Sequence, residues 1–176
     1  MNLPLKSGRN QMKPIVMGFF AAFLAAALLI PSPANAQDAR AAKSMKALKD
    51  QTAELGAPKI EGKEAVGGKD TPALYFGSTK MNNNLALVDK VAKEGGEGMA
   101  ATLFVKSEGD NYIRVATTLP TALGSELGGP AFDSISAGKP YYGKAPVLGI
   151  PCVTGYEPIK DPSGAIIGVY SVGYKE

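Results

Sequence analysis

From residue 38 onward the apolar positions of this chain change their period, and the changes mark out its elements. In residues 38–57, "DARAAKSMKALKDQTAELGA", Ala41, Met45, Leu48, Thr52 and Leu55 recur at spacings of four, three, four and three. That is one narrow stripe along a charged rod, and it predicts a helix. A stripe so thin buries little alone, so the helix is expected across one edge of the domain or against a second copy. Pro58 and the glycine-rich stretch "EGKEAVGGKDTP" end it. After the short apolar piece "ALYFG", Met81, Leu85, Val88, Val91 and Ala92 share a face between Asn82 and Glu94, a second helix stopped by "EGGEG". Asn82 or Asn83 suits its N-cap, where a side-chain oxygen accepts from the exposed backbone donors.

Beyond that point the period falls from 3.6 to 2. "MAATLFV" and "NYIRVATTL" flank "KSEGDN", whose Gly109 and Asp110 suit a tight hairpin. "GGPAFDSISAGKP" holds one short helix with Phe132 and Ile135 inward. "YYGKAPVLG", "PCVTGYEPI" and "AIIGVYSVGY" read as three more strands. The last two are joined by "KDPSG", in which Pro162 presets φ and Gly164 takes the positive φ. The order predicts an α+β fold, a mostly antiparallel five-stranded sheet with helices on one face. Glycines inside strands, at 143, 155, 168 and 173, imply bulges, curvature or close approach of another backbone. A curved sheet under a helical layer makes room for a concave pocket.

The first 36 residues follow a different logic. Residues 1–18 are polar and basic, and twelve apolar residues run from Phe19 to Ile30. Pro31, Pro33 and the small residues Ala34 and Ala36 follow. This is the order of a secretory signal with an A-x-A site, expected to be cut after Ala36 and to deliver the protein to the periplasm. The run is short for a membrane span, which needs about 20 residues. An uncleaved anchor is the alternative, and Met12 is a second candidate start. No cysteine follows the run, so a lipid anchor there is unsupported.

Charge and composition then remove whole classes of function. Three of the 19 basic residues, Lys6, Arg9 and Lys13, precede residue 37, and no acidic residue occurs before Asp38. The rest of the chain balances at 16 basic and 16 acidic side chains, so no nucleic-acid partner is implied. There is no histidine and a single cysteine, Cys152. A histidine-based catalytic triad, a zinc site on histidine or paired cysteine, and an intrachain disulfide are excluded. Neither "GGPAF" nor "EGGEG" has the spacing of a phosphate loop. The carboxylates are scattered, without a calcium-loop pattern, so no metal or other cofactor is called for. A non-catalytic protein is the expectation. Cys152 sits mid-strand among apolar residues and reads as a buried small hydrophobe.

Three segments carry a family resemblance: "LYFGSTKMNNNLALVDKVAKEGG", "ATLFVKSEGDNYIRVATTL" and "AGKPYYGKAPVLGIPCVTGYEPIKDPSGAIIGVYSVGY". Together they resemble the extracytoplasmic single Cache domain, closest to the Cache 3/Cache 2 type found in the sensing regions of bacterial chemoreceptors and histidine kinases. The resemblance implies a PAS-like fold, with a long N-terminal helix, a five-stranded antiparallel sheet and a pocket for a small molecule such as a carboxylate. It divides the chain into a signal peptide at 1–36, an N-terminal helix and linker at 37–73, and a sensor domain at 74–176. Such domains usually continue into a second membrane helix and a signalling module, whereas this sequence stops at Glu176 after the last strand. A membrane receptor or kinase, or a second copy through helix 38–57, is therefore the expected route for a signal such as one serving chemotaxis. An interaction or assembly module of the same fold, without a ligand, is the alternative.

Five residues are the candidate ligand contacts. Arg114 is the only arginine after Arg40, and its guanidinium suits a carboxylate. Period-two reading of the strand puts Tyr112, Arg114, Ala116 and Thr118 on one face. The family's pattern also carries an arginine strand beside its pocket. Tyr142 and Lys144 share a face of the next strand, and Tyr156 shares a face with Cys152 and Thr154. A tyrosine hydroxyl can donate to a carboxylate while its ring packs over an alkyl chain. Glu157 points the other way, toward a lysine at the domain edge. The loop "PTALGSELGGP" reads as a lid.

Overall fold

A computed structural model of the chain describes Met1 and residues 33–176. The signal-peptide reading falls almost wholly outside these residues. No helix among the described residues is long and apolar enough to cross a membrane.

The first helix, α1, runs Pro33–Ala53. Proline is tolerated at a first helical position, where its missing N–H has no partner to lose. Ala41, Met45, Leu48 and Thr52 are buried along one stripe, while Leu55 lies beyond the helix and is exposed. The stripe lies over strands β7 (Ile150–Lys160) and β8 (Ile166–Lys175), across the middle of the main sheet rather than at its edge. The helix is tied there by hydroxyls: Ser44 Oγ lies 2.6 Å from the Tyr174 hydroxyl, and the Thr52 hydroxyl reaches that of Tyr170.

The main sheet has the order β5-β4-β8-β7-β6 and is antiparallel throughout. Its remaining strands are β4 (Met99–Lys106), β5 (Tyr112–Thr117) and β6 (Tyr141–Val147). These five strands match the five read from the period-two segments. The turn between β7 and β8 closes as read, with Gly164 at φ 89 and the Asp161 Oδ1 accepting from Ser163 N and Ala165 N.

Two features depart from the sequence reading. Residues 58–76 are not a loop: β1 (Pro58–Val66) and β2 (Lys69–Phe76) form an antiparallel hairpin, extended by β3 (Thr79–Lys80) into a second, three-stranded sheet. Val66, Leu74 and Phe76 from this sheet join α1, α2 (Ala86–Gly95) and one face of the main sheet in the larger core. Helices also cover both faces of the main sheet, not one. The short helix α3 (Gly129–Ser136) packs Ala131 and Ile135 on the opposite face, over Phe104, Tyr112, Tyr156 and Val169.

Asn82 does not cap α2. It is buried and stitches β2, accepting from Leu74 N and donating to Thr71 Oγ1 and Pro72 O. Leu85 holds the N-cap position, and the only side-chain help nearby is Asn84 Oδ1 accepting from Ala86 N.

Candidate functional site

The site starts from an irregularity in pairing. Along β4 and β5, Leu103 faces Ala116 but Phe104 faces Arg114, so Val115 is an extra residue on β5. Such a bulge reverses the faces beyond it. Tyr112 and Arg114 share the α3 face with Phe104, as the period-two reading expects. Ala116 does not: it turns into the larger core beside Val115. Thr117 takes its place on the α3 face, its hydroxyl 2.8 Å from that of Thr102.

Arg114 is held as firmly as its strand. Its backbone N–H donates to Ser125 O and its carbonyl accepts from Gly124 N, both at 2.9 Å. Leu127 N donates to Tyr112 O one pair further on. The segment read as a lid is thus bonded along the outer edge of β5 as a fixed wall. Its Gly124 packs so closely on Gly67 that a Cβ there would come within 2.9 Å of backbone atoms.

Arg114 is only 6% exposed. Its Nη1 donates to Ser125 Oγ, and its guanidinium carbon sits 4.8 Å from the Phe104 ring centroid. No carboxylate among the described residues pairs with it. The ion pairs among the described residues are all made by lysines. Two buried side-chain polar atoms there make no hydrogen bond, Glu64 Oε2 and Arg114 Nε. The first lies 3.0 Å from Lys80 Nζ, which leaves Arg114 Nε alone. Burial pushes the guanidinium below the usual arginine range.

Arg114 lines a cavity of about 250 Å³. Thr102 and Arg114 stand on one side, Ser171 and Gly173 of β8 in the middle, and Cys152 of β7 on the other. Val147 and Ile150 border it at the β6–β7 turn, and Gly98, Met99, Ala100, Leu119 and Lys175 complete the lining. The lining therefore holds two cations and no carboxylate among the described residues. Cys152 is 7% exposed, and burial raises its thiol pKa, so the thiol is a poor nucleophile here.

The other candidates lie elsewhere. Tyr112 and Tyr156 share the α3 face with Arg114 but sit under α3, packed on Phe132 and Tyr141 with ring centroids 6.1 and 6.2 Å apart. Burial raises both phenols. Tyr142 packs its ring over Gly155, and its hydroxyl donates to Glu157 Oε1 at 2.6 Å. Glu157 also accepts from Lys49 of α1, so Glu157 and Tyr142 serve the seam between α1 and the sheet. Burial, with the Glu157 carboxylate, pushes the Tyr142 phenol up. Lys144 pairs with Glu176 and does not line the cavity. Of the five candidates, only Arg114 lines it.

Thr102, Ser171, Gly173 and Cys152 are the lining residues that sequence reading did not offer as contacts. For Cys152 the signal was present, since it shares a face with Thr154 and Tyr156. Ser171 and Gly173 needed the pairing of β8 between β4 and β7, which no single-strand period supplies.

The family model of the Cache 3/Cache 2 fusion domain matches residues 26–176. The chain belongs to this family. No curated protein matches it. Cache domains are sensor domains, in general not catalytic and typically extracellular. In this Cache domain the match covers the β1–β3 sheet and α1 together with the main sheet. No group of three or more metal-ligating side chains gathers among the described residues.

Proposed function

We propose that this Cache domain is a periplasmic, non-catalytic sensor that captures a small organic anion, a carboxylate, in the cavity beside Arg114. One observation carries the reading: a buried guanidinium lines an open cavity with its Nε unbonded and no carboxylate partner among the described residues. A buried charge without a partner is costly, and structures retain one where something else completes it. A carboxylate in the cavity would complete it, accepting from the guanidinium with paired donors.

Strand β8 gives occupancy a way out of the cavity. Ser171 and Gly173 face the ligand space, while Tyr170 and Tyr174, which flank them along the strand, hold α1 through Thr52 and Ser44. A ligand that shifts β8 therefore acts on the seat of α1. The apolar stripe of α1 is buried within the chain, so a homodimer through residues 38–57 uses the helix's charged face. A membrane receptor or kinase partner is the other route.

The test is the melting temperature of the purified protein against small carboxylates, amino acids and purines. A ligand at 100 times its Kd adds about 2.7 kcal/mol. For a domain of this size that is a rise of roughly 5–11 °C. The rise is expected with carboxylates and is lost in Arg114→Ala. The alternative is a ligand-free interaction module, favoured by Leu148 and Ile150, which are 52% and 45% exposed at the β6–β7 turn. A flat response across the panel from a folded protein supports that alternative.

A further inference from the structure

We infer that the cavity selects organic anions that carry no ammonium group, and so excludes α-amino acids. The inference rests on the reading above and concerns which anion the same site accepts. Its basis is the charge census of the lining. Arg114 is buried at one side and Lys175 is exposed at the rim, and no aspartate or glutamate lines the space among the described residues. An α-amino acid whose carboxylate meets Arg114 carries its ammonium to the same depth, one carbon away. An ammonium buried there needs acceptors, and a carboxylate is the strongest of them.

The acceptors present are hydroxyls, and they are partly engaged. Thr102 Oγ1 and Thr117 Oγ1 are bonded to each other, and Thr117 Oγ1 also accepts from Leu119 N. Among the described residues, Ser171 and Thr102 are the hydroxyl-bearing side chains that line the space. The guanidinium adds repulsion at close range. A 2-hydroxy group fits the same hydroxyls without charge, because it can both donate and accept. Apart from Lys175 at the rim, the rest of the lining is apolar or glycine, which suits a short alkyl tail. At about 250 Å³ the space lies below the roughly 300–1,000 Å³ of drug-sized pockets, as a metabolite-sized acid requires.

The experiment is calorimetric titration of the full chain with unbranched acids from acetate to hexanoate. At the chain length that binds best, the 2-hydroxy acid, the 2-amino acid and the neutral amide follow. The acid and 2-hydroxy acid are expected to bind within a few-fold of each other, with the amino acid and the amide at least tenfold weaker. Arg114→Gln removes the advantage of the acid over the amide. An amino acid that binds as well as its acid and depends on Arg114 overturns the inference and leaves the anion site standing. If no acid binds, the inference and the reading beneath it both fail.

Discussion

Replacing Arg114 with methionine separates a residue that holds a ligand from one that holds the fold. In the unliganded protein the guanidinium contributes a charged hydrogen bond to Ser125, of the class worth about 1.5–3 kcal/mol. Its place over Phe104 adds about 0.5–2 kcal/mol. Against this stands the desolvation of a buried cation with an unbonded Nε, an effective cost of several kcal/mol per ion. The sign follows from titration too. Burial lowers the guanidinium's pKa, so the folded protein holds that proton less tightly than the unfolded chain. The charge therefore opposes folding at every pH below its folded pKa. Methionine fills similar volume and adapts its shape, so no large void is left behind. Arg114→Met is expected to unfold in urea within about 1 kcal/mol of the parent, or above it, with an unchanged denaturant slope. In melting temperature that is a fall of no more than roughly 4 °C. Stabilisation by carboxylates disappears. A loss of about 3 kcal/mol or more, the scale of breaking a satisfied buried ion pair, makes Arg114 a structural residue and refutes the reasoning.

Three further outcomes follow from the geometry. Gly173→Val puts a side chain into the cavity where the nearest heavy atom to a Cβ is 3.5 Å away, so melting is expected to change by less than about 1 kcal/mol while carboxylate binding is lost. Unaltered binding in titrations of that variant places the ligand elsewhere. Gly168→Ala has no such room: its Cβ would lie 2.3 Å from the Phe104 carbonyl oxygen, and a cost of about 3 kcal/mol or more is expected in urea unfolding. A cost below 1 kcal/mol shows that β4 and β8 can separate there freely. The Asp161 carboxyl is held below its ordinary value by the Ser163 hydroxyl and by backbone N–H groups. The turn's stability is thus full above the ordinary carboxylate value near 3.9 and lost as pH falls through the folded value. Amide exchange at Ser163 and Ala165 should be flat from pH 7 to 5, after intrinsic correction, and loosen below about pH 4. Loosening at pH 6 contradicts it.

Much of the main sheet was legible because each of its strands alternates against a buried layer on at least one side. The turn at Asp161–Ala165 was legible for a chemical reason, since Pro162 and Gly164 each fit one backbone position. The β1–β2 hairpin was hidden. Lys59 to Lys63 are exposed on both faces of an edge strand, so no period of two marks it, and its charges serve to discourage pairing with other chains. The cavity was half legible. Arg114 stood out as a solitary mid-strand arginine, and its facing survived because the bulge at Val115 lies beyond it. Ala116 and Thr117 were exchanged by that bulge, which the letters of β5 do not announce. Tyr142 looked equal to Tyr156 as a strand tyrosine. Register decides between them: Tyr142 stands opposite Gly155 and is exposed, and Tyr156 stands opposite Tyr141, buried under α3.

The most direct measurement observes Arg114 Nε itself. The chain holds only three arginines, Arg9, Arg40 and Arg114, so side-chain Nε–H resonances in a ¹⁵N-labelled sample are few and assignable through Arg114→Met. Adding the tightest-binding carboxylate is expected to move the Arg114 Nε–H resonance downfield and slow its exchange with water, leaving Arg40 in place. A carboxylate that stabilises the protein while the Arg114 Nε–H signal stays fixed contradicts the account.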